Sequence, residues 1–268
     1  MLNILKNAAV LAGEIQKKYF RQGELGVVNK TNHENIVTEV DKKSQTAIQE
    51  YILKETCQMG IETEDVGFVG EEKLQKKGKH LFIIDPLDGT SNYATGTEEF
   101  AVLISYYLDG IAESGVMYFP MKDTMYFGEK NKGAHVNKQG KIRKFSNLQI
   151  PLHDSFILSS MSYQPEIQAG VPQRILALKP LFRAVRMYGC AGSELAYILE
   201  GVAGATLLYG CSIWDIAPGM LLLRETGYEV YDYFGNILSL DLLNPEKTYP
   251  FLACHPSSKS EIFQRLKK

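Results

Sequence analysis

The chain has 268 residues, 45% hydrophobic and 22% charged, an apolar share that a disordered chain does not carry. Its 29 Lys and Arg nearly cancel its 31 Asp and Glu, for a formal net charge of -2, so no overall field draws it to nucleic acid. The longest uncharged run, residues 201–214, has 14 residues against the roughly 18 that a membrane span needs. A protein without a membrane span, in the cytoplasm, is the expectation.

At the N-terminus, Ile4, Leu5, Ala8, Ala12, Ile15 and Tyr19 recur at helical spacing, which predicts an amphipathic helix rather than a signal peptide. A second helix is predicted from Thr38, with Asp41 three positions on as an approximate capping box. Val40, Ala47, Ile48, Tyr51 and Ile52 form its buried stripe. Short apolar runs at 67–69 and 81–84 read as buried strands. Residues 100–108 and 111–119 flank Asp109-Gly110, a strong hairpin signal. Further on, strand-like runs (156–158, 205–209, 251–254) interleave with helical ones (175–182, 193–199, 216–226), the pattern of strands covered by helices. The polar stretch 147–154, with Pro151, marks a boundary between an α+β lobe, 1–150, and an α/β lobe, 151–268, tightly joined. Cys57, Cys190, Cys211 and Cys254 form no C-x-x-C and read as buried free thiols. His33, His80, His135, His153 and His255 have no ligand spacing and read as polar or loop residues. The segment Lys76-Lys77-Gly78-Lys79 reads as a solvated turn.

The most informative stretch is LFIIDPLDGTSNY at 81–93. A buried strand ends in Asp85, Pro86 stiffens the turn, Asp88 follows, Gly89 permits close backbone approach, and Thr90 begins a helix. Two carboxylates crowded at a strand end repel each other unless cations neutralise them, and the free amides of a helix start attract an anion. Cations beside an anion site suit a phosphate. Alone, the segment fits a solvated turn equally well. Glu71-Glu72 after another short strand could be an exposed acidic pair, Asp215 an N-cap ahead of the helix at 216–226 with Pro218 in its first turn, and Asp41 a surface residue.

Asp41, Glu71-Glu72, D-P-L-D-G-T at 85–90 and W-D-I-A-P-G at 214–219 stand together in the order and spacing of one signature. The chain resembles the inositol monophosphatase family of magnesium-dependent, lithium-sensitive phosphatases, from its first helix to its C-terminus. The resemblance implies an αβαβα sandwich of the inositol monophosphatase/fructose-1,6-bisphosphatase type, a layered α/β fold, as a homodimer. It implies two or three Mg²⁺ ions held by Glu71, Asp85, Asp88, Asp215 and the Leu87 carbonyl, and inhibition by Li⁺. Glu71 and the Thr90 hydroxyl would orient the attacking water, with Asp41 in an outer position or on a third ion. Leu87, Asp88, Gly89, Thr90, Gly189, Cys190, Ala191 and Asp215 would bind substrate. An oxygen-only ligand set selects hard Mg²⁺ over zinc.

The implied reaction is hydrolysis of a small phosphorylated metabolite by direct in-line attack of metal-activated water. Fructose-1,6-bisphosphatase, histidinol phosphatase and 3'(2'),5'-bisphosphate nucleotidase share the metal core and remain alternatives. A regulatory binding protein of the transcription machinery is an alternative of another class, to which the charge balance lends no support. One departure stands out. Inositol-preferring relatives carry a glutamate seven residues before the Trp-Asp aspartate; here Leu208 holds that place, which implies weakened selectivity for inositol.

Overall fold

Five alternating layers of helix and sheet make up the computed structural model, which describes residues 1–22, 28–29, 36–146, 149–160 and 170–267. The first layer pairs α1 (Leu2–Tyr19) with α2 (Glu39–Gln58). Ile4, Leu5, Ala8 and Ala12 of α1 and Ile48 and Ile52 of α2 are buried against Phe68, Phe82, Ile84, Val102 and Ile104. These last belong to an eight-stranded sheet of β3 (Val66–Gly70), β4 (Leu74–Lys76), β5 (His80–Asp88), β6 (Ala101–Leu108), β7 (Ile111–Phe119), β8 (Thr124–Glu129), β9 (Gly133–Lys138) and β10 (Lys141–Lys144). Among the described residues, the short strands β1 (Val28–Asn29) and β2 (Ile36–Val37) pair only with each other.

Strand alternation gives this sheet two apolar faces. Tyr106 and Tyr118 join the α1–α2 side, whereas Tyr107 and Phe119 point to the opposite core. That core contains α5 (Ala191–Leu199) and α6 (Ile213–Arg224), the middle layer. A Cβ at Gly115 would lie 3.0 Å from the Pro218 carbonyl oxygen, so α6 crosses β7 so closely that a side chain there would push the helix back by a few tenths of an ångström. The fourth layer is a mixed sheet of β11 (Phe156–Ser159), β12 (Ala184–Arg186), β13 (Ala203–Cys211), β14 (Glu229–Tyr231) and β15 (Tyr249–Cys254). Its outer face buries Ile157, Ala205, Leu207 and Leu252 with Val171, Leu178 and Ile262, from the fifth layer, α4 (Val171–Leu178) and α7 (Lys259–Leu266). This is the αβαβα sandwich that the sequence leads one to expect. Among the described residues no helix is long and apolar enough to cross a membrane.

Several boundaries differ from the sequence reading. The strand beginning near Leu81 does not end at Asp85 but runs to Asp88, with a register break against β6 between Asp85 and Asp88. A bulge of this kind accommodates Pro86, which has no amide to give to a ladder. Helix α4 starts at Val171, with a proline in its first two positions, and ends at Leu178 before a 3-10 turn, Lys179–Leu181. Helix α6 begins at Ile213, so Asp215 is its third residue rather than the N-cap, and Pro218 lies inside the helix. His80 and His135 sit on strands, His80 bonded to the Tyr106 hydroxyl and His135 stacked on Phe127. Lys76 ends β4. Cys57 is exposed, whereas Cys190, Cys211 and Cys254 are buried. His33 and residues 147–148 of the expected boundary lie outside the described residues.

Candidate active site

The bulge in β5 turns Asp85 and Asp88 toward one region. The Leu87 side chain is buried with Phe20, Val40, Tyr93 and Phe100, and the Gln16 side chain of α1 donates to the Pro86 carbonyl at 2.6 Å. Asp85 Oδ1 accepts the Leu87 amide at 3.0 Å. Gly89 then takes a left-handed conformation, φ 87°, as N-cap of α3 (Thr90–Ala94). A Cβ there would sit 2.9 Å from the Glu99 carbonyl oxygen, so the D-G-T sequence has a steric need for its glycine.

The start of α2 meets this segment. Thr38 caps α2 in a reciprocal capping box with Asp41, so the approximate box read in the sequence is a complete one. Asp41 Oδ1 also accepts the Thr90 hydroxyl at 3.0 Å, and the same hydroxyl lies 2.9 Å from the Leu87 carbonyl. Asp41 is fully buried, and burial pushes its carboxyl up to about 6, helped by the charge of Glu71 and opposed by bonds from Thr38 and Thr90. Beyond the end of β3, Glu71 and Glu72 bring carboxylate oxygens within 4.8 Å of one another and of Asp41. Gln45, one turn along α2 from Asp41, holds this corner by bonding both the amide and the carbonyl of Glu72 at 3.3 Å.

Asp85 is the electrostatic centre. Its carboxyl is buried, and burial, then Glu71, Asp88 and Asp215, push it well above the usual carboxylate range. Asp215 approaches from α6, where its Oδ2 accepts the Ser212 amide at 2.7 Å. Asp88 faces the start of α5: it accepts the Ala191 amide at 3.0 Å, the Gly192 amide at 2.6 Å and the Cys190 thiol at 3.0 Å. Burial raises the Asp88 carboxyl, and these three donors pull it back. All acids acting on Asp85 carry oxygen donors, and buried acids of like charge need a cation to be ionised together. A hard divalent ion such as Mg²⁺ fits that donor set.

The structure therefore brings Asp41, Glu71, Asp85, Leu87, Asp88, Gly89, Thr90, Cys190, Ala191 and Asp215 into one neighbourhood, with Gly189 next to Cys190. Glu72 joins the acidic group, which the sequence marked only as the partner of Glu71. Gln45, Asn92, Glu99 and Glu194 also support the site, beyond the residues to which the sequence signature points. For Gln45 a signal existed, because it sits four residues after Asp41 on the same helix face; for Glu194, which acts across a turn, there was none. Leu208, by contrast, is fully buried in the core around α5 and α6.

Comparison with known proteins places the chain in a family. The sequence profile of the inositol monophosphatase family matches residues 1–266. An inositol-1-monophosphatase of Mesorhizobium japonicum is 32% identical over 245 residues, 90% of this chain and 88% of that protein. The Nus factor SuhB of Pseudomonas aeruginosa is 30% identical over 244 residues, 88% of this chain and 86% of that protein. The crystal structure of the extragenic suppressor protein SuhB from Bartonella henselae superposes with a TM-score of 0.85 at 27% identity, covering 99% of this chain and 98% of that one.

Proposed function

The chain belongs to the inositol monophosphatase family, and we propose that it catalyses Mg²⁺-dependent hydrolysis of small phosphate monoesters. The observation that carries this reading is the buried Asp85, acted on by Glu71, Asp88 and Asp215, in the same segment as the left-handed Gly89 that starts α3. In this reading Glu71, Asp85, Asp88, Asp215 and the Leu87 carbonyl hold the ions, where lobes 1–150 and 151–268 meet. When bound, Mg²⁺ supplies a lowered pKa for water and stabilisation of the charge on the leaving oxygen.

The protein's own groups do the rest. The amides of Gly89 and Thr90 orient the phosphoryl oxygens. Thr90 Oγ1 and Glu71 hold the attacking water in line, and Asp41, bonded to Thr90, fixes the direction of that hydroxyl. Gly189, Cys190 and Ala191 line the side on which the leaving alcohol sits, with Asp88 and Asp215. Phosphate monoesters hydrolyse so slowly unaided that enhancements up to ~10²¹-fold are known for such reactions, so positioning and charge stabilisation are what the site must provide.

Leu208 stands where inositol-preferring relatives carry an acid and is itself buried in the core. Position 208 therefore supplies no acid to a ring hydroxyl, and the reading is broad acceptance of leaving groups in place of a strong preference for inositol. Phosphate release from inositol 1-phosphate, glycerol 2-phosphate, fructose 1,6-bisphosphate, histidinol phosphate and adenosine 3',5'-bisphosphate, with and without Mg²⁺, tests both points. Mg²⁺-dependent turnover of several members is the expected result; turnover of none overturns the reading. A second reading, a regulatory binding partner of the transcription machinery, draws on the similarity to a protein named Nus factor SuhB. Retention by purified transcription proteins under conditions where Asp215→Asn also binds would favour it.

A further inference from the structure

Glu194, at the end of the first turn of α5, is fully buried. A carboxyl in that position is rare unless it has a specific partner, and a leucine would fill the space without the polar cost. One oxygen, Oε2, has no hydrogen-bond partner among the described residues. The other accepts the Tyr188 amide at 3.3 Å, and the Gly189 amide nearby favours the ionised carboxyl. These amides precede the N-cap Cys190 and lie outside the helical ladder, which opens with the Glu194 amide on the Cys190 carbonyl at 3.2 Å. Glu194 thus reaches back over the first turn to amides that the helix cannot satisfy.

The opposite side of the same turn is held by Asn92 of α3. Its Nδ2 donates to the Tyr188 carbonyl at 2.7 Å and to the Glu99 carbonyl at 2.8 Å, with the Gly189 carbonyl at 3.3 Å. The Tyr188 amide and the Tyr188 and Gly189 carbonyls are therefore held by two side chains, Glu194 and Asn92, more than a hundred residues apart in the chain. Just beyond the turn, the Cys190 thiol and the Ala191 and Gly192 amides are aimed at Asp88. Tyr188 itself packs on Tyr197 of α5, ring centroids 4.7 Å apart.

We propose that Glu194 and Asn92 are positioning residues that clamp the turn at 188–190 from its two sides and so set the orientation of Cys190, Ala191 and Asp88 toward the substrate. The kinetic consequence rests on the phosphatase reading; the clamp itself does not. If the turn loosens, Cys190 and Ala191, which in that reading line the side of the leaving alcohol, sample several orientations, so binding weakens more than chemistry. Cys190, now buried, also becomes open to reagents.

The test compares Glu194→Gln, Glu194→Leu and Asn92→Ala with wild type in two measurements. One is the split between kcat and KM on the best substrate of the phosphate panel. The other is the rate of iodoacetamide labelling at each cysteine in the native protein, read by peptide mass spectrometry. Exposed Cys57 is the fast reference, and buried Cys211 and Cys254 are the references for global opening. Glu194→Leu and Asn92→Ala should raise KM at least tenfold with kcat within threefold, and speed labelling at Cys190 alone at least tenfold. Glu194→Gln, which keeps an acceptor for the amides, should stay within threefold of wild type in both. Unchanged Cys190 labelling in Asn92→Ala, or Glu194→Gln as impaired as Glu194→Leu, overturns the clamp. If Glu194→Leu does not fold, Asn92→Ala decides through the same readouts. If wild type hydrolyses no member of the panel, the phosphatase reading fails and the labelling rates alone decide the clamp.

Discussion

The Thr90 hydroxyl lies 3.0 Å from Asp41 Oδ1 and 2.9 Å from the Leu87 carbonyl oxygen. A hydroxyl carries one hydrogen, so it donates to only one of these acceptors at a time. With Asp41 ionised, Thr90 can serve the carboxylate; with Asp41 protonated, the acid donates to Thr90 and the hydroxyl turns to Leu87. The protonation state of Asp41 therefore sets which way a hydroxyl at the centre of the site points.

That coupling has a stability signature. Burial raises the Asp41 carboxyl from 3.8 to about 6 in the folded protein, so the folded state holds its proton more tightly than the unfolded chain. Its contribution is fully present below pH 3.8, the unfolded value, and is lost as pH rises through about 6. The shift corresponds to about 3 kcal/mol at most. Urea unfolding of EDTA-treated protein should show this contribution declining between pH 4 and 7, and Asp41→Asn should flatten the decline. Equal pH profiles in the two proteins would contradict the assignment.

Magnesium should reverse the cost of the crowded acids. An ion that binds only the folded cluster adds about 2.7 kcal/mol at a hundredfold excess over its dissociation constant. Thermal unfolding should therefore move upward with Mg²⁺. Asp85→Asn should raise the Tm of the metal-free protein, since it removes a buried acid pressed by Glu71, Asp88 and Asp215, and should blunt the rise with Mg²⁺. The same Mg²⁺ shift in both proteins would place the ion elsewhere.

Gly89→Ala tests the backbone of the D-G-T segment. The left-handed φ of 87° and the 2.9 Å approach to the Glu99 carbonyl together make a loss of about 2 kcal/mol the expectation. Displacement of Thr90 should also lower phosphate release. A variant as stable and as active as wild type would show that the close approach is relaxed at no cost.

Much of this architecture is legible in the sequence because its signals are local. Thr38 and Asp41 announce the start of α2, Asp109-Gly110 the β6–β7 hairpin with both residues at positive φ (48° and 78°), and Asp85 to Thr90 the heart of the site. What escaped the sequence depends on contacts between distant segments. The start of α5 at Ala191 is capped by Asp88 from 103 residues earlier, which no local pattern displays. Helix α6 starts at Ile213 because Ser212 and Asp215 cap it reciprocally, a pairing hidden by reading Asp215 as the cap itself. The extension of β5 through Pro86 depends on a bulge against β6, and a proline ordinarily signals the end of a strand.

Leu208→Glu, which would restore the acid found in inositol-preferring relatives, is expected to cost stability instead of adding selectivity. Leu208 is fully buried, and a carboxyl placed there takes up a proton and still gives up its hydrogen bonds to water, at a cost of about 4 kcal/mol. A drop in Tm of several degrees with an unchanged substrate profile is the predicted outcome. A stable variant with a new preference for inositol 1-phosphate would show that residue 208 reaches the substrate.

The most direct test of the account is phosphate release by wild type and Asp215→Asn across a Mg²⁺ titration. Asparagine at 215 keeps an oxygen for the Ser212 amide, so the α6 cap survives while a ligand charge is lost. Asp88→Asn is less clean, because its amide nitrogen would oppose the Ala191 and Gly192 amides. The account predicts Mg²⁺-dependent turnover in wild type and a fall of at least about a hundredfold, roughly 2.7 kcal/mol of transition-state stabilisation, in an Asp215→Asn protein with wild-type circular dichroism. Turnover that needs no Mg²⁺, or that survives in Asp215→Asn at saturating Mg²⁺, would contradict it.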